Sequence, residues 1–376
     1  MIDAPGPWGT GPFVLVEGHS SLDVEQAVTS ADPFACTWLQ TQDRTPRVRL
    51  RANRDYWDRA RGPRLEEVVF RNELSRSDAI EKVCTGEGEV DIVTDVPHAQ
   101  AERVERSEHA KLVTVNPVRA LFGVIRRDAE GLPLHDVRAR RALNLAVDRA
   151  ALVRDVFGGR AQGLAGLTPP VGVTALHRAP GRLRPYPHDA RRAEQYWLQA
   201  TGGAPTRTLR LAALGGEEAV AQQVAGDLRS ALGLDVEVTV LEGDDGVAAR
   251  RRLAESHDGD WDVLILEQGC QTADLPALEL HRAVLGRSGE FRAGPVDTEF
   301  DRRFARLLRQ RRQSAQALLS NDVDRYTTAQ APALFLAAPQ MLYAVNRHVR
   351  FLPYATSFEL AETSVGRRHW SRRRRT

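Results

Sequence analysis

Three aspartates in the second half of the chain have the spacing of metal ligands. Asp258, Asp260 and Asp262 in "DGDWD" alternate as they do at the start of an EF-hand calcium loop. Such a loop needs glycine at its sixth position and glutamate at its twelfth, where this sequence has Val263 and Gly269. The pattern therefore favours a solvated entrance to a strand over a calcium site.

The other residues with catalytic or metal-binding side chains are scattered. The ten histidines include no pair at i, i+4 on one helix, and Cys36, Cys84 and Cys270 form no CxxC motif. The sequence contains no GxSxG elbow, no HExxH and no P-loop. We therefore expect no enzyme activity, no metal site and no cofactor. The cysteine spacing leaves the redox compartment open.

Positive charge is carried almost entirely by arginine. Only Lys82 and Lys111 are lysines among the 52 basic residues, and the net charge of +2 argues against a whole-surface nucleic-acid binder. The C-terminal "RRHWSRRRRT" (367–376) is a local basic run. Such a run can hold phosphates or anionic lipid, but we expect a disordered tail without a partner.

Turn residues and apolar periodicity predict mixed strands and helices. "WGTGPFVLVE" is a turn that leads into a strand at 13–16, and further strands are predicted within 47–57, at 68–70 and at 90–93. Helices are predicted after "SRSD", over 136–159 with Asp136 as N-cap, over 188–203, and over 297–331. A rigid loop is predicted at 166–172, and the polar stretch between Gly18 and Pro46 is left unassigned.

The clearest architecture lies in residues 207–267. Leu209 and Leu211 alternate in a strand, "LDVEVTV" alternates in a second, and Val263–Leu266 form an unbroken apolar run, with helical spacing between them. Alternating strands and helices predict a parallel βαβαβ unit with right-handed crossovers. The unbroken run is typical of a strand covered on both faces.

Seven segments in order resemble the extracytoplasmic solute-binding proteins of ABC importers, in the class that binds oligopeptides, dipeptides and nickel complexes. They are "GTGPFVLVE", "RVRLRANRDYW", "GPRLEEVVFR", "GEVDIV", "LHDVRARRALNLAVDRAALV", "GLTPPVG" and "HDARRAEQYWLQATGG". The resemblance implies an α/β, two-lobed periplasmic-binding-protein-like fold. It also implies that the first lobe is incomplete, because the family's opening turn follows a long N-terminal segment.

The resemblance further implies how the chain is divided. Residues 1–118 are expected to be a remnant of the first lobe, 119–343 the second lobe, and 344–376 a return to the first lobe with the basic tail. Crossings between lobes are expected near 117–123 and 340–347. The strands at 13–16 and 68–70 are expected to show apolar surface or unpaired edges, because the family's N-terminal segment would pack there.

A family member captures a small peptide or similar solute between its lobes and delivers it to the membrane permease. Asp274, which follows the "WDVLILEQ" strand, best matches the family's ammonium-binding aspartate, and Gln268 and Cys270 are neighbouring candidates for ligand contact. The local pattern is shifted, and the usual tryptophan is absent. Asp274 as the N-cap of a following helix remains an equal alternative.

The expected location is periplasmic or extracytoplasmic by resemblance, although the sequence shows no secretory signal and no apolar run long enough to span a membrane. Membrane contact is expected only through the permease, and no nucleic acid is expected as a partner. The alternatives are a nickel-chelate binder and a cytoplasmic sensor domain of a transcriptional regulator with the same fold.

Overall fold

The computed structural model describes residues 9–26, 38–116, 118–169, 183–257, 259–269, 276–354 and 358–373. The strands are β1 (Phe13–Glu17), β2 (Ser20–Gln26), β3 (Trp38–Arg44), β4 (Arg47–Ala52), β5 (Glu67–Arg71), β6 (Ile92–Val93), β7 (Ala110–Val115), β8 (Arg119–Ile125), β9 (Ala161–Gly163), β10 (Leu209–Leu214), β11 (Val236–Leu241), β12 (Val263–Gly269), β13 (Ala333–Pro339), β14 (Met341–Asn346), β15 (Val349–Pro353) and β16 (Phe358–Val365). The α-helices are α1 (Arg76–Thr85), α2 (Ala101–Glu105), α3 (Val137–Ala146), α4 (Arg149–Ala151), α5 (Ala190–Thr201), α6 (Glu218–Leu232), α7 (Gly243–Ser256), α8 (Pro276–Leu285), α9 (Thr298–Leu308) and α10 (Gln313–Gln330).

The chain divides into two compact units. The first comprises Met1–Glu25, Gln40–Asn116 and Gln340–Thr376, and the second comprises Gln26–Leu39 and Pro117–Pro339. No helix in the described ranges combines the length and the apolar character needed to cross a bilayer.

The second unit is built on a six-stranded sheet in the order β11-β10-β12-β8-β13-β9. Strand β10 pairs in parallel with both β11 and β12, which confirms the predicted βαβαβ unit. Residues Val263–Leu266 of β12 are fully buried, as expected for a strand covered on both faces. Strand β8, about 140 residues earlier in the chain, pairs antiparallel with β12 and brings a distant segment into the centre of this sheet.

The predicted helix over 136–159 is interrupted. Asp136 caps α3 as expected, with its side chain accepting from the Arg138 N–H, but the helix ends at Ala146. Val147 is extended, and Asp148 then caps the three-residue helix α4, which continues into a π-helical turn at Leu152–Val156. The single helix was wrong because Asp148 offers its carboxylate to two backbone N–H groups, which starts a new turn.

The remaining helix predictions agree with the structure. Asp189 caps α5, which ends at Gly202 with a φ of 63°, and Gly233 ends α6 with the same left-handed geometry. The predicted helical stretch 297–331 is two helices, α9 and α10. Residues 166–169 of the predicted loop lie outside regular structure, and 170–172 lie outside the described residues.

Asp262 was wrongly expected to be solvated. Its side chain is fully buried and forms ion pairs with Arg207 at 2.7 Å and Arg210 at 3.2 Å. Burial alone would raise the pKa of Asp262, but hydrogen bonds from the two arginines lower it overall. Asp262 therefore pairs with two arginines at the amino ends of β10 and β12.

The first unit contains two three-stranded sheets, β1-β4-β5 and β6-β14-β7, and the pair β15-β16. The predicted strand at 90–93 is shorter than expected, since β6 covers only Ile92–Val93. Strands β1 and β5 are the outer strands of their sheet, and Val69 and Phe70 on β5 are 44% and 37% exposed. The expected edges with apolar surface are therefore present in the described part of the chain.

A strand pair lies in the stretch that the sequence left unassigned. Strands β2 and β3 form a two-stranded sheet. The backbone next to this pair is tied by hydrogen bonds between His19 and Thr45, including one of 3.0 Å from the Thr45 N–H to the His19 carbonyl.

The basic C-terminal run is folded as far as Arg373, contrary to the expected disorder. Residues Trp370–Arg372 form a 3-10 turn whose N-cap is His369. The imidazole of His369 is 2% exposed and lies 2.9 Å from the Asp91 carboxylate, to which the Trp370 indole also donates at 2.9 Å. Residues 374–376 lie outside the described residues.

Both lysines lie in the first unit. Lys82 on α1 pairs with Glu89, and Lys111 on β7 donates to the Val349 carbonyl at 2.9 Å. The second unit, by contrast, contains buried arginine side chains. Arg149, for example, is buried and donates to the Phe335 carbonyl at 2.6 Å.

Candidate functional site

One edge of the six-stranded sheet gathers the carboxyl ends of three parallel strands. Strands β10, β11 and β12 run in the same direction, so Leu214, Leu241 and Gly269 end at this edge. Strand β8 is antiparallel to β12, with Arg119 opposite Gly269, so its first residue lies here too. Open α/β sheets bind ligands outside the carboxyl ends of their strands. We call Arg119, Glu217, Arg250, Glu267 and Gln268 the polar edge.

An ion pair at the polar edge joins two neighbouring strands. Nη1 of Arg119 lies 3.0 Å from Oε1 of Glu267. Both side chains are partly exposed, at 40% for Arg119 and 26% for Glu267. The pair therefore presents one positive and one negative group to solvent at a single point on the sheet.

Arg250 reaches the polar edge from helix α7. Its guanidinium donates to Oε1 of Gln268 at 3.3 Å and lies 5.8 Å from the centre of the Phe291 ring. Phe291 is buried and packs edge-on against Phe122 of β8. These contacts hold the Phe291 ring in place beside the Arg250 guanidinium. Burial lowers the pKa of Arg250, with Glu290 opposing this effect, but an arginine remains cationic at neutral pH.

Glu217 lies just beyond β10, after the turn Gly215–Gly216. Gly216 has a φ of 96°, and the Gly215 N–H donates to the Leu241 carbonyl at 2.9 Å, which ties this turn to β11. Burial and, secondarily, the negative charge of Glu267 raise the pKa of Glu217 to about 7. This carboxyl group can therefore change its charge near neutral pH.

The polar edge places two carboxyl groups and two guanidinium groups within one small region of the second unit. Carboxylates accept hydrogen bonds from ammonium groups, and guanidinium groups donate paired hydrogen bonds to carboxylates. The arrangement suits a small molecule that carries both charges.

The structure includes one of the three predicted site residues. Gln268 lies on β12, where its amide accepts from Arg250 and donates to the Gly269 carbonyl at 3.1 Å. Cys270 and Asp274 lie outside the described residues, as does Cys36. Cys84 is a buried free thiol. Sequence reasoning missed Arg119, Glu217, Arg250 and Glu267. Of these four residues, only Glu267 could have been suggested by the sequence, because it lies next to the predicted Gln268.

A second cluster of polar side chains is buried. Nε2 of His281 lies 2.6 Å from Oδ1 of Asp324, which also accepts from the Thr168 hydroxyl at 2.6 Å. The other ring nitrogen of His281 lies 3.0 Å from the Thr327 hydroxyl, and the His281 side chain is fully buried. The cluster therefore ties the loop after β9 to α8 and α10.

The described residues contain no group of three or more His, Cys, Asp or Glu side chains arranged to hold a metal ion. Asp260 and Asp262 of the calcium-like pattern bond to arginines instead.

The sheet topology and its charged strand ends do not by themselves specify a function, but comparison with known proteins gives the family. Residues 3–278 match the model of the bacterial extracellular solute-binding proteins, family 5 Middle, and the chain belongs to that family. The expected class is therefore confirmed, and the family is one of binding proteins.

Two curated relatives match the chain at the same percentage identity but over different lengths. Di/tripeptide-binding protein 2 of Pseudomonas aeruginosa (strain UCBPP-PA14) is 25% identical over 360 residues, which cover 91% of this chain and 58% of the relative. Glutathione-binding protein GsiB of Escherichia coli (strain K12) is 25% identical over 162 residues, 43% of this chain and 30% of the relative. The chain thus spans little more than half the length of Di/tripeptide-binding protein 2.

Solved structures show the same fold. The ABC transporter substrate-binding protein CtaP of Listeria monocytogenes has a TM-score of 0.76 at 14% identity, covering 95% of this chain and 67% of that one. NikA of Brucella suis, solved with Fe(III)-EDTA, has a TM-score of 0.72 at 16% identity, covering 95% and 68%. The expected α/β periplasmic-binding-protein-like fold is confirmed.

Proposed function

We propose that the chain acts as the substrate-binding component of an ABC importer and captures short peptides or closely related solutes. The observation that carries this proposal is the polar edge, where the Arg119–Glu267 ion pair is flanked by Arg250 and Glu217 at the ends of parallel strands. The names of the two relatives, which bind di- and tripeptides or glutathione, support the same ligand class.

A free peptide matches this charge pattern. Its ammonium group pairs with Glu267 or Glu217, and its carboxylate accepts hydrogen bonds from the guanidinium of Arg119 or Arg250. Each contact with the ligand replaces a contact with water or an existing ion pair. The free energy of binding is therefore the difference between the new contacts and those they replace, and no reaction is involved. The proposed role is binding without catalysis.

The predicted residues Asp274, Gln268 and Cys270 remain proposals for ligand contact. Gln268 is the best supported, because its amide already belongs to the hydrogen-bond network of the polar edge. If Asp274 pairs with a peptide ammonium group, Asp274→Asn should weaken binding by roughly 30-fold or more. If Asp274 is only a helix N-cap, Asp274→Asn should leave both affinity and stability almost unchanged.

The lobe boundaries 1–118, 119–343 and 344–376 are likewise proposed, supported by the changes of compact unit at Asn116/Pro117 and Pro339/Gln340. We also propose an extracytoplasmic location, with the permease of an ABC importer as partner. A ligand favours the transport-competent conformation only to the extent that it binds that conformation more tightly.

Calorimetric titration of the full chain with dipeptides and tripeptides tests the function. Free peptides should bind, and peptides with an acetylated amino end or an amidated carboxyl end should bind at least tenfold more weakly. Glu267→Gln should weaken binding of free peptides by roughly 30-fold or more, because a charged partner is removed from a partly buried pair.

Glu237→Gln is the matched control, since Glu237 is exposed on β11 near the opposite end of the same sheet. It should leave affinity unchanged. Equal affinity for free and blocked peptides, or binding of a nickel–histidine complex without binding of any peptide, would exclude the proposed ligand class.

A further inference from the structure

The C-terminal basic segment is held in a defined position on the first unit. We call Gly366–Arg373 the arginine turn. Its His369 is buried with Nε2 at 2.9 Å from Asp91, and the same carboxylate oxygen accepts from the Trp370 indole at 2.9 Å and from Asn346 at 3.3 Å. One aspartate therefore anchors two consecutive aromatic side chains of the segment.

Successive backbone hydrogen bonds keep the arginine turn compact. The His369 N–H donates to the Gly366 carbonyl at 3.1 Å, the Arg372 N–H to His369 at 2.9 Å, and the Arg373 N–H to Trp370 at 3.3 Å. Arg373 also forms an ion pair with Glu87. These bonds place Arg367, Arg368 and Arg372 within one compact turn of the backbone.

Three arginines of the turn are exposed and unneutralised. Arg367, Arg368 and Arg372 have no carboxylate within ion-pair distance among the residues that the structure describes. The nearby acids are already used, since Glu87 pairs with Arg373 and Asp91 accepts from His369 and Trp370. Trp370 is itself 37% exposed beside them.

Anchoring alone does not account for this arrangement. The contacts that fix the turn come from His369, Trp370 and Arg373, whereas the three free guanidinium groups add none. Like charges held close together repel each other, so the cluster costs stability unless an anionic partner is present.

We propose that the arginine turn is a docking surface for a membrane that contains anionic phospholipid. Guanidinium groups bind lipid phosphates through paired hydrogen bonds, and a negatively charged leaflet attracts each basic residue near its surface. Tryptophan is enriched at the level of lipid headgroups, which suits a half-exposed indole beside three arginines. This contact is additional to the expected one through the permease and does not depend on the identity of the transported solute.

Co-sedimentation of the full chain with vesicles tests the proposal. Binding should be strong on vesicles of phosphatidylglycerol and phosphatidylcholine and weak on phosphatidylcholine alone. Each arginine near an anionic surface contributes about a fivefold gain in partitioning, so the triple variant R367Q/R368Q/R372Q should bind roughly 100-fold more weakly. Wild-type binding should also fall steeply as salt rises from about 0.05 to about 0.5 M.

The matched control is R306Q/R309Q/R311Q, which removes three exposed arginines at the end of α9 and just after it, and changes the net charge equally. It should retain wild-type vesicle binding. Equal loss in both triple variants, binding that resists salt, or equal binding to both kinds of vesicle would overturn the proposal. Binding to duplex DNA without binding to anionic vesicles would assign the surface to nucleic acid instead and would also overturn it.

Discussion

Replacing Glu217 with glutamine should raise the free energy of unfolding above neutral pH and leave it unchanged in acid. Glu217 precedes the first residue of α6, where the helix dipole favours a negative charge by roughly 0.5 kcal/mol. Its pKa is nevertheless raised from 4.5 to about 7 by burial and by Glu267. Burial and the neighbouring carboxylate therefore outweigh the dipole.

The sign follows from proton linkage. Between pH 4.5 and about 7 the folded chain keeps a proton on Glu217 that the unfolded chain has lost, so stability falls as pH rises and the penalty is complete above about 7. At about 1.4 kcal/mol per pKa unit the penalty is about 3 kcal/mol as an upper bound, and solvent screening of a partly exposed group reduces it to roughly 1–3 kcal/mol. Glutamine keeps the shape and removes the penalty.

Urea unfolding of both proteins at pH 5, 6, 7 and 8 measures the effect. The difference in unfolding free energy should be smallest at pH 5 and grow to roughly 1–3 kcal/mol at pH 8. Glu218→Gln, which alters the exposed residue next in the chain, is the control and should show no such growth. A gain that is the same at every pH, or one shared by the control, would refute this account of Glu217.

Three further changes test the buried and anchoring contacts. Asp262→Ala should lower the unfolding free energy by about 3 kcal/mol because Arg207 and Arg210 lose their buried partner, and this difference should vanish as pH falls through the lowered pKa of Asp262. Arg149→Lys should cost about 2–3 kcal/mol in urea unfolding, since an ammonium group cannot reach the carbonyls of Asn144 and Phe335 together. His369→Ala should speed tryptic removal of the C-terminal segment about tenfold, while the rest of the chain resists cleavage as before.

The sequence predicted the second unit well because its local patterns agree with its tertiary structure. The alternation in "LDVEVTV" and the apolar run Val263–Leu266 are direct consequences of which faces are covered, so strand type and order could be predicted. The break at Val147 was not predicted, because apolar residues continue at helical spacing through it. The only local signal was Asp148, whose capping role depends on geometry.

The polar edge could not be predicted residue by residue. Arg119 meets Glu267 only because β8 inserts beside β12, and periodicity contains no information about which distant strand becomes a neighbour. Arg250 resembles any arginine of an exposed helix face until Phe291 and Gln268 are seen beside it. Gln268 was proposed only through the family resemblance.

Disorder was predicted for the C-terminal run because charge density alone was considered. Charge repulsion does favour disorder in an isolated segment. The run also contains His369 and Trp370, and a single acceptor on Asp91 is enough to hold both. In this run, the two aromatic residues were therefore a better guide to the structure than the surrounding arginines.

Because the chain contains only two lysines, reagents that react with amines can label very few of its side chains. Amine-directed reagents such as succinimidyl esters react with lysine side chains and the α-amine, and both lysines lie in the first unit, on α1 and β7. Lys82 forms an ion pair with Glu89, whereas Lys111 donates to the Val349 carbonyl. A fluorophore introduced this way would mark the first unit and leave every side chain of the second unit unlabelled, including the polar edge. Lysine substitutions at chosen sites of the second unit would then provide defined partners for distance measurements, with little background from native amines.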